Sequence, residues 1–195
     1  MINFCDMKKI LLIAATALVC SAAFAQPKFA HVNFAELVQL MPEMDQVRAT
    51  LETSQKEAGE TYKEMEDEFN AKYQVYQQKA STWTPAIRES KEKELTEIQQ
   101  RIQEFAQSIQ TELGEQQQKL TAPVYKKAQD CVTELAKKGG YTVVLDKPSV
   151  LYIDEAQSVD LTPAARKALG IPEGRTLETL QAELQAQAQA AAAAE

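Results

Sequence analysis

Few residues in this chain could do covalent or metal chemistry, and they do not form sets. His31 is the one histidine among 195 residues. A lone imidazole builds neither a metal site nor a catalytic triad by itself, so His31 reads as structural. Of three cysteines, Cys5 and Cys20 fall in an N-terminal segment that reads as removable, which leaves Cys131. An unpaired cysteine makes no internal disulfide, and Cys131 reads as a small apolar residue on a helix. Carboxylates are many, but Glu57, Glu60, Glu64, Glu66, Asp67 and Glu68 crowd one stretch, the pattern of a solvated helix face. There is no Gly-rich phosphate loop and no Cys or His cluster at metal spacing. The composition argues against an enzyme, a bound cofactor or metal, and an ATP-driven cycle. What remains is apolar contact. Met44, Val47, Leu51, Ala58, Tyr62, Met65, Phe69 and Tyr76 recur at spacings of three, four or seven. This is a helical stripe in coiled-coil register, with Ser54 and Lys72 at its weak positions.

The elements that must position this stripe can be read from punctuation. Residues 28–34, KFAHVNF, alternate with period two, which predicts a short strand. From Ala35 the period turns helical, and Pro42 kinks or breaks that helix. At STWTPAIRES, Thr84 is a candidate N-cap with Pro85 at the first helical position. The return helix carries Ile87, Leu95, Ile98, Ile102, Phe105, Ile109, Leu113, Leu120, Val124, Cys131 and Leu135 on one face, with Pro123 within it. It ends at KKGG, where Lys137 and Lys138 complement the helix dipole and a glycine supplies a left-handed cap. Two helices of about 38 and 50 residues joined by so short a link must be antiparallel neighbours. The resulting hairpin extends roughly 55–60 Å, with no third helix to cover it. Two further strands are predicted at YTVVLD and VLYID, separated by DKPS, as hairpin neighbours or one bent strand. A short helix follows, with Thr162 as cap, Pro163 at its start and Gly170 at its close.

The sequence thus predicts a mainly α protein with a small β body and a long antiparallel coiled-coil arm. A leader occupies 1–25, the body 26–43 and 119–172, the arm 44–118 with its tip near 82–86, and a low-complexity Ala/Gln tail 173–195. In the leader, Lys8 and Lys9 precede an apolar run and a small-residue AFA site, which places cleavage between Ala25 and Gln26. Met7 also makes a plausible start. The apolar run is shorter than the roughly 20 residues of a membrane span, so no stable membrane insertion is expected after cleavage. Beyond the leader there are 19 basic and 27 acidic residues, with no basic stripe for nucleic acid. Three short strands do not bury a core alone, which implies oligomerisation through the body.

The run GGYTVVLDKPSVLYID followed by VDLTPAARKALG, with FAHVNF near the start and KEKELTEIQQRIQEFAQ in the return helix, resembles the Skp/OmpH family of periplasmic chaperones. The resemblance spans roughly residues 28–172. It implies a jellyfish-like homotrimer whose strands form one body and whose three arms enclose a cavity. It implies an ATP-independent holdase for unfolded outer-membrane β-barrel proteins. On that basis Met65, Phe69, Tyr73, Tyr76, Trp83 and Ile87 are candidates to meet clients, although packing against Ile98, Ile102 and Phe105 across the hairpin is the favoured reading for any one of Met65, Phe69 and Tyr76. Val32, Phe34, Val143, Val144, Leu145, Leu151 and Ile153 are candidates to join subunits. One departure matters. Family members are basic, whereas residues 44–138 hold 14 basic and 17 acidic residues, which puts a lipopolysaccharide site in doubt. The competing reading is a structural or adaptor coiled coil of the cell envelope.

Overall fold

β1 (Phe29–Val32) is the central strand of a three-stranded parallel sheet, between β2 (Val143–Asp146) and β3 (Ser158–Asp160). The computed structural model describes residues 27–193, and the expected leader with its Ala25/Gln26 cleavage site lies outside them. Phe29 pairs with Val143 on one side and with Ser158 on the other. A central strand of a parallel sheet is covered on both faces. Ala30, His31 and Val32 are accordingly all buried, and the period-two alternation of the sequence does not become one wet and one dry face.

Asn33 then turns the chain into α1 (Phe34–Leu40). Its side chain accepts from the Glu36 amide and donates to the Glu36 carboxylate, a reciprocal cap. The Phe34 amide donates to Asp146 and the Asn33 amide to Thr162, so distant segments satisfy donors at this helix start. Met41, the residue before Pro42, is extended, and the helix breaks there. α2 (Pro42–Lys79) and α3 (Pro85–Gly139) form the antiparallel arm. Thr84 caps α3 by accepting from the Ile87 amide, and Gly140 closes it with φ +67°. α3 runs unbroken through Pro123. The core lies at the arm's base, where Leu37, Val38, Leu40 and Met41 meet Val47, Val124, Ala128 and Val132. Farther out, Ile98 is the buried apolar residue of the arm seam. The arm is long and thin, and its base is part of the body.

Three expectations are corrected. VLYID is not a strand. After β2 the chain makes a short 3-10 turn (Lys147–Ser149), and Leu151 then points fully into solvent. The third strand is Ser158–Asp160, which has low intrinsic β propensity. It is held instead by its ladder to β1 and by a side-chain bond from Ser158 to His31. Nor are the two later strands hairpin neighbours, because they flank β1 on opposite sides. Finally, the helix after β3, α4 (Thr162–Ala168), starts one residue earlier than expected. The Thr162 hydroxyl is engaged by Asn33, and Asp160 accepts from the Thr162 amide in its place.

The C-terminal stretch is more ordered at its start than its composition suggests. α5 (Leu177–Ala192) follows a Thr176–Thr179 pair whose hydroxyls each accept from the other's amide. Leu180 is buried in the core and Leu177 packs against it.

Candidate functional site

Two surfaces carry unpaired apolar side chains, one along the outer arm and one around the sheet. On the arm, Phe69 and Tyr73 are one helical turn apart and their rings stack, with centroids 5.8 Å apart and planes 10° from parallel. Tyr73 is 42% exposed. Tyr76 meets Trp83 edge-on at 6.0 Å, so the tip indole is part of the hairpin's closure. Met65, Phe69, Tyr76 and Trp83 are half-buried, whereas Ile87 is 45% exposed. Sequence reasoning missed Val75, which is as exposed as Tyr73, and assigned Tyr62 only to the seam. Val75 lies next to the stripe position Tyr76, so a seam-only reading passes over it. Val75, Trp83, Leu95 and Ala71 line a small apolar groove of about 210 Å³, flanked by Lys72 and Lys91.

Exposed ion pairs cross the arm beside this surface. Lys72 donates to Glu94 and lies 3.7 Å from Glu68, and Arg101 reaches Glu68 at 2.8 Å. Lys91 also bonds Glu94, at 2.7 Å. Hydrogen bonds from Lys72 and Lys91 hold the Glu94 carboxyl down at about 2, and the Lys72 ammonium is raised by the same partner. The Tyr76 hydroxyl donates to Glu92, which pushes its own pKa up. Charged and aromatic groups therefore alternate along the outer arm, and much of its seam is polar.

Around the sheet, Val32 is buried in the core of its own chain. Phe34 is half-buried and faces Tyr125 at 6.2 Å. Val144, Leu145 and Ile153 are half-buried, and Val144 packs on the core of its own chain. A charge at Val144 would thus disturb the protomer itself as well as any assembly. Val143 is 41% exposed and Leu151 fully exposed. Tyr152, 79% exposed, together with Phe29, Tyr125 and Val159, is also exposed around the body and escaped the sequence reading; Phe29 shares a sheet face with Val143, and Val159 stands on the other face. A groove of about 550 Å³ opens between β2 and α3. Strands β2 and β3 are both outer strands of the sheet, and unpaired outer strands offer main-chain donors and acceptors.

The fold does bring a serine and a carboxylate to the single histidine. His31 Nδ1 lies 2.9 Å from Ser158 Oγ, and its Nε2 is 3.9 Å from Asp160. A hydrolytic triad needs the serine on Nε2 and the carboxylate bonded to Nδ1. Here the order is reversed and the carboxylate is beyond hydrogen-bond distance. Ser158 is also buried within the sheet. Asp160 feels a burial cost that raises its pKa, but hydrogen bonds from Thr162 outweigh it and the net shift is downward. The cluster fastens β3 to β1. At Cys131, burial pushes the thiol pKa up, away from reactivity. Among the described residues no group of three potential metal ligands occurs, and no helix is long and apolar enough to cross a membrane.

Comparison with known proteins places this geometry in a known setting. The family described as outer membrane protein (OmpH-like) matches residues 28–169. The chain is 30% identical over 155 residues to the chaperone protein Skp of Yersinia enterocolitica, covering 78% of this chain and 94% of that one. It is 29% identical over 156 residues to chaperone protein Skp of Pectobacterium atrosepticum, with the same coverage. A crystal structure of a putative outer membrane chaperone (OmpH-like) from Caulobacter crescentus superposes with a TM-score of 0.65 at 20% identity, over 74% of this chain and 85% of the other. That likeness establishes the shared fold.

Proposed function

The chain belongs to the OmpH-like family, which is not enzymatic, and on that footing we propose that it is an ATP-independent holdase for unfolded outer-membrane β-barrel proteins. It works in the periplasm, after removal of its leader. Three copies assemble through the sheet body, and their arms enclose the client. One observation carries this reading most. The outer arm exposes Tyr73, Val75 and Ile87 beside a half-polar seam, where a fixed-partner coiled coil would present a continuous apolar one.

The physical logic is many weak contacts. An unfolded barrel protein offers short apolar strands in succession. Each can rest on an aromatic or aliphatic group and leave quickly, while the enclosed chain meets the next at high effective concentration. Release requires no nucleotide, because folding into a membrane supplies the driving force. With the arm net acidic, capture rests on apolar contact, and lipopolysaccharide is a poor fit.

The test is dilution of a urea-unfolded outer-membrane barrel into buffer containing the mature protein. The expected result is suppression of light scattering near one trimer per client. Undiminished scattering at several-fold excess would overturn the holdase reading and favour an adaptor role.

A further inference from the structure

The arm is cross-linked by ion pairs at its base and in its outer part, and by none between them among the described residues. At its base, Glu43 pairs with Lys127 across the two helices. Arg175 grips Asp45, in the first turn of α2, with two bonds of 2.6 and 2.7 Å. Leu180 then seats α5 in the core. Arg175 and Leu180 lie beyond residues 28–169, the stretch matched by the family. In the outer arm, Arg101–Glu68, Lys72–Glu94 and Tyr76–Glu92 tie the helices together.

Between these braces, among the described residues, no ion pair spans the helices. The Ser54–Gln116 hydrogen bond, 3.0 Å, is the side-chain bond that crosses there. Just tipward of it sit Gly59 on α2 and Gly114 on α3, within about one helical turn of each other along the axis. Neither glycine is required by its backbone, since neither has a positive φ. Neither is required by packing, since a Cβ at either position would meet nothing within 4 Å. Their remaining effect is to weaken both helices at the same level, glycine being the poorest helix former after proline. A groove of about 480 Å³ opens between the helices here, lined by Ser54, Ala58, Phe105, Ile109, Leu113 and Gln116.

We propose that the arm articulates at a joint at the level of Gly59 and Gly114, and that its base is locked by Arg175 and Leu180 of the C-terminal extension. The proposal concerns the arm's mechanics and holds independently of any client.

Hydrogen exchange of the full mature chain tests both halves. Segments 52–61 and 107–119 should exchange faster than 42–51 and 120–135 on one side and 62–79 and 88–104 on the other. Gly59→Ala with Gly114→Ala, which have room for the added methyl, should slow exchange in the joint about fivefold per site. Spin labels at Ser81 and Lys126, in a Cys131→Ala background diluted with unlabelled chain, should give a broad distance distribution that narrows in the double variant. Equal exchange along the arm, or an unchanged distribution in the double variant, overturns the joint. Arg175→Ala should speed exchange in 42–51 severalfold; unchanged exchange there overturns the lock.

Discussion

Glu94 accepts hydrogen bonds from Lys72 across the arm and from Lys91 three residues back on its own helix, which lowers its carboxyl from 4.5 to about 2. A group whose pKa is depressed by folding stabilises the fold above its unfolded value and loses that contribution as pH falls through the folded one. The outer arm should therefore weaken between about pH 4.5 and pH 2. Glu94→Gln should flatten this part of the pH profile of the melting temperature, followed by circular dichroism; an identical slope in both proteins would refute the assignment. The effect should shrink in high salt, because the pair is exposed. A second residue-scale expectation concerns contact. Tyr73 and Ile87 are exposed on the arm, and Tyr73 stacks on Phe69 of its own helix. Tyr73→Ser with Ile87→Ser should raise the concentration needed to suppress client aggregation severalfold at unchanged helicity. Equal suppression by parent and variant would remove these two from the client surface.

The two long helices are held differently along their length. At the base, α2 and α3 contribute Val47, Val124, Ala128 and Val132 to a core shared with α1, α4 and α5. In the outer arm, Ile98, 3% exposed, is the main buried apolar anchor. Ile98→Ala should destabilise the arm by about 2 kcal/mol, the low end for such a truncation because a two-helix seam can partly collapse into the space. Chemical denaturation followed by Trp83 fluorescence at the tip measures this. A loss under about 0.5 kcal/mol, the level of an ordinary surface change, would show that the ion pairs, and not Ile98, hold the outer arm.

For the molecule as a whole, one chain presents a small sheet with exposed apolar groups around it, the expected contacts of an assembly. Leu151 and Tyr152 touch little of their own chain. Leu151→Asp with Tyr152→Asp should turn a trimer into a monomer by light scattering without changing the helical signal. A variant that keeps its mass would place the interface elsewhere. Client binding should change less than about threefold between 50 and 300 mM salt, because apolar contact is not screened by salt as exposed charge pairs are; a tenfold loss would show that charge drives capture. Much of this architecture could be read from local signals. Thr84–Pro85, Lys137–Lys138–Gly139–Gly140 and the three-and-four spacing of the stripe specify two long helices and their reversal, because caps and periodicity act within a few residues. The lack of paired histidines and of a nucleotide loop, together with the GGYTVVLDKPSVLYID run, is legible in the sequence by itself and narrows function. Only the tertiary structure decided the rest. Ser158–Asp160 becomes a strand because β1 and His31 are there to receive it, while the more strand-like VLYID has no such partner within the chain. Leu180 is a core residue because Arg175 carries α5 back to the arm's base, 130 residues away in sequence. Gly59 and Gly114 stand at one level because the hairpin register places them there. Each depends on a partner far along the chain, and local propensity carries no information about such a partner.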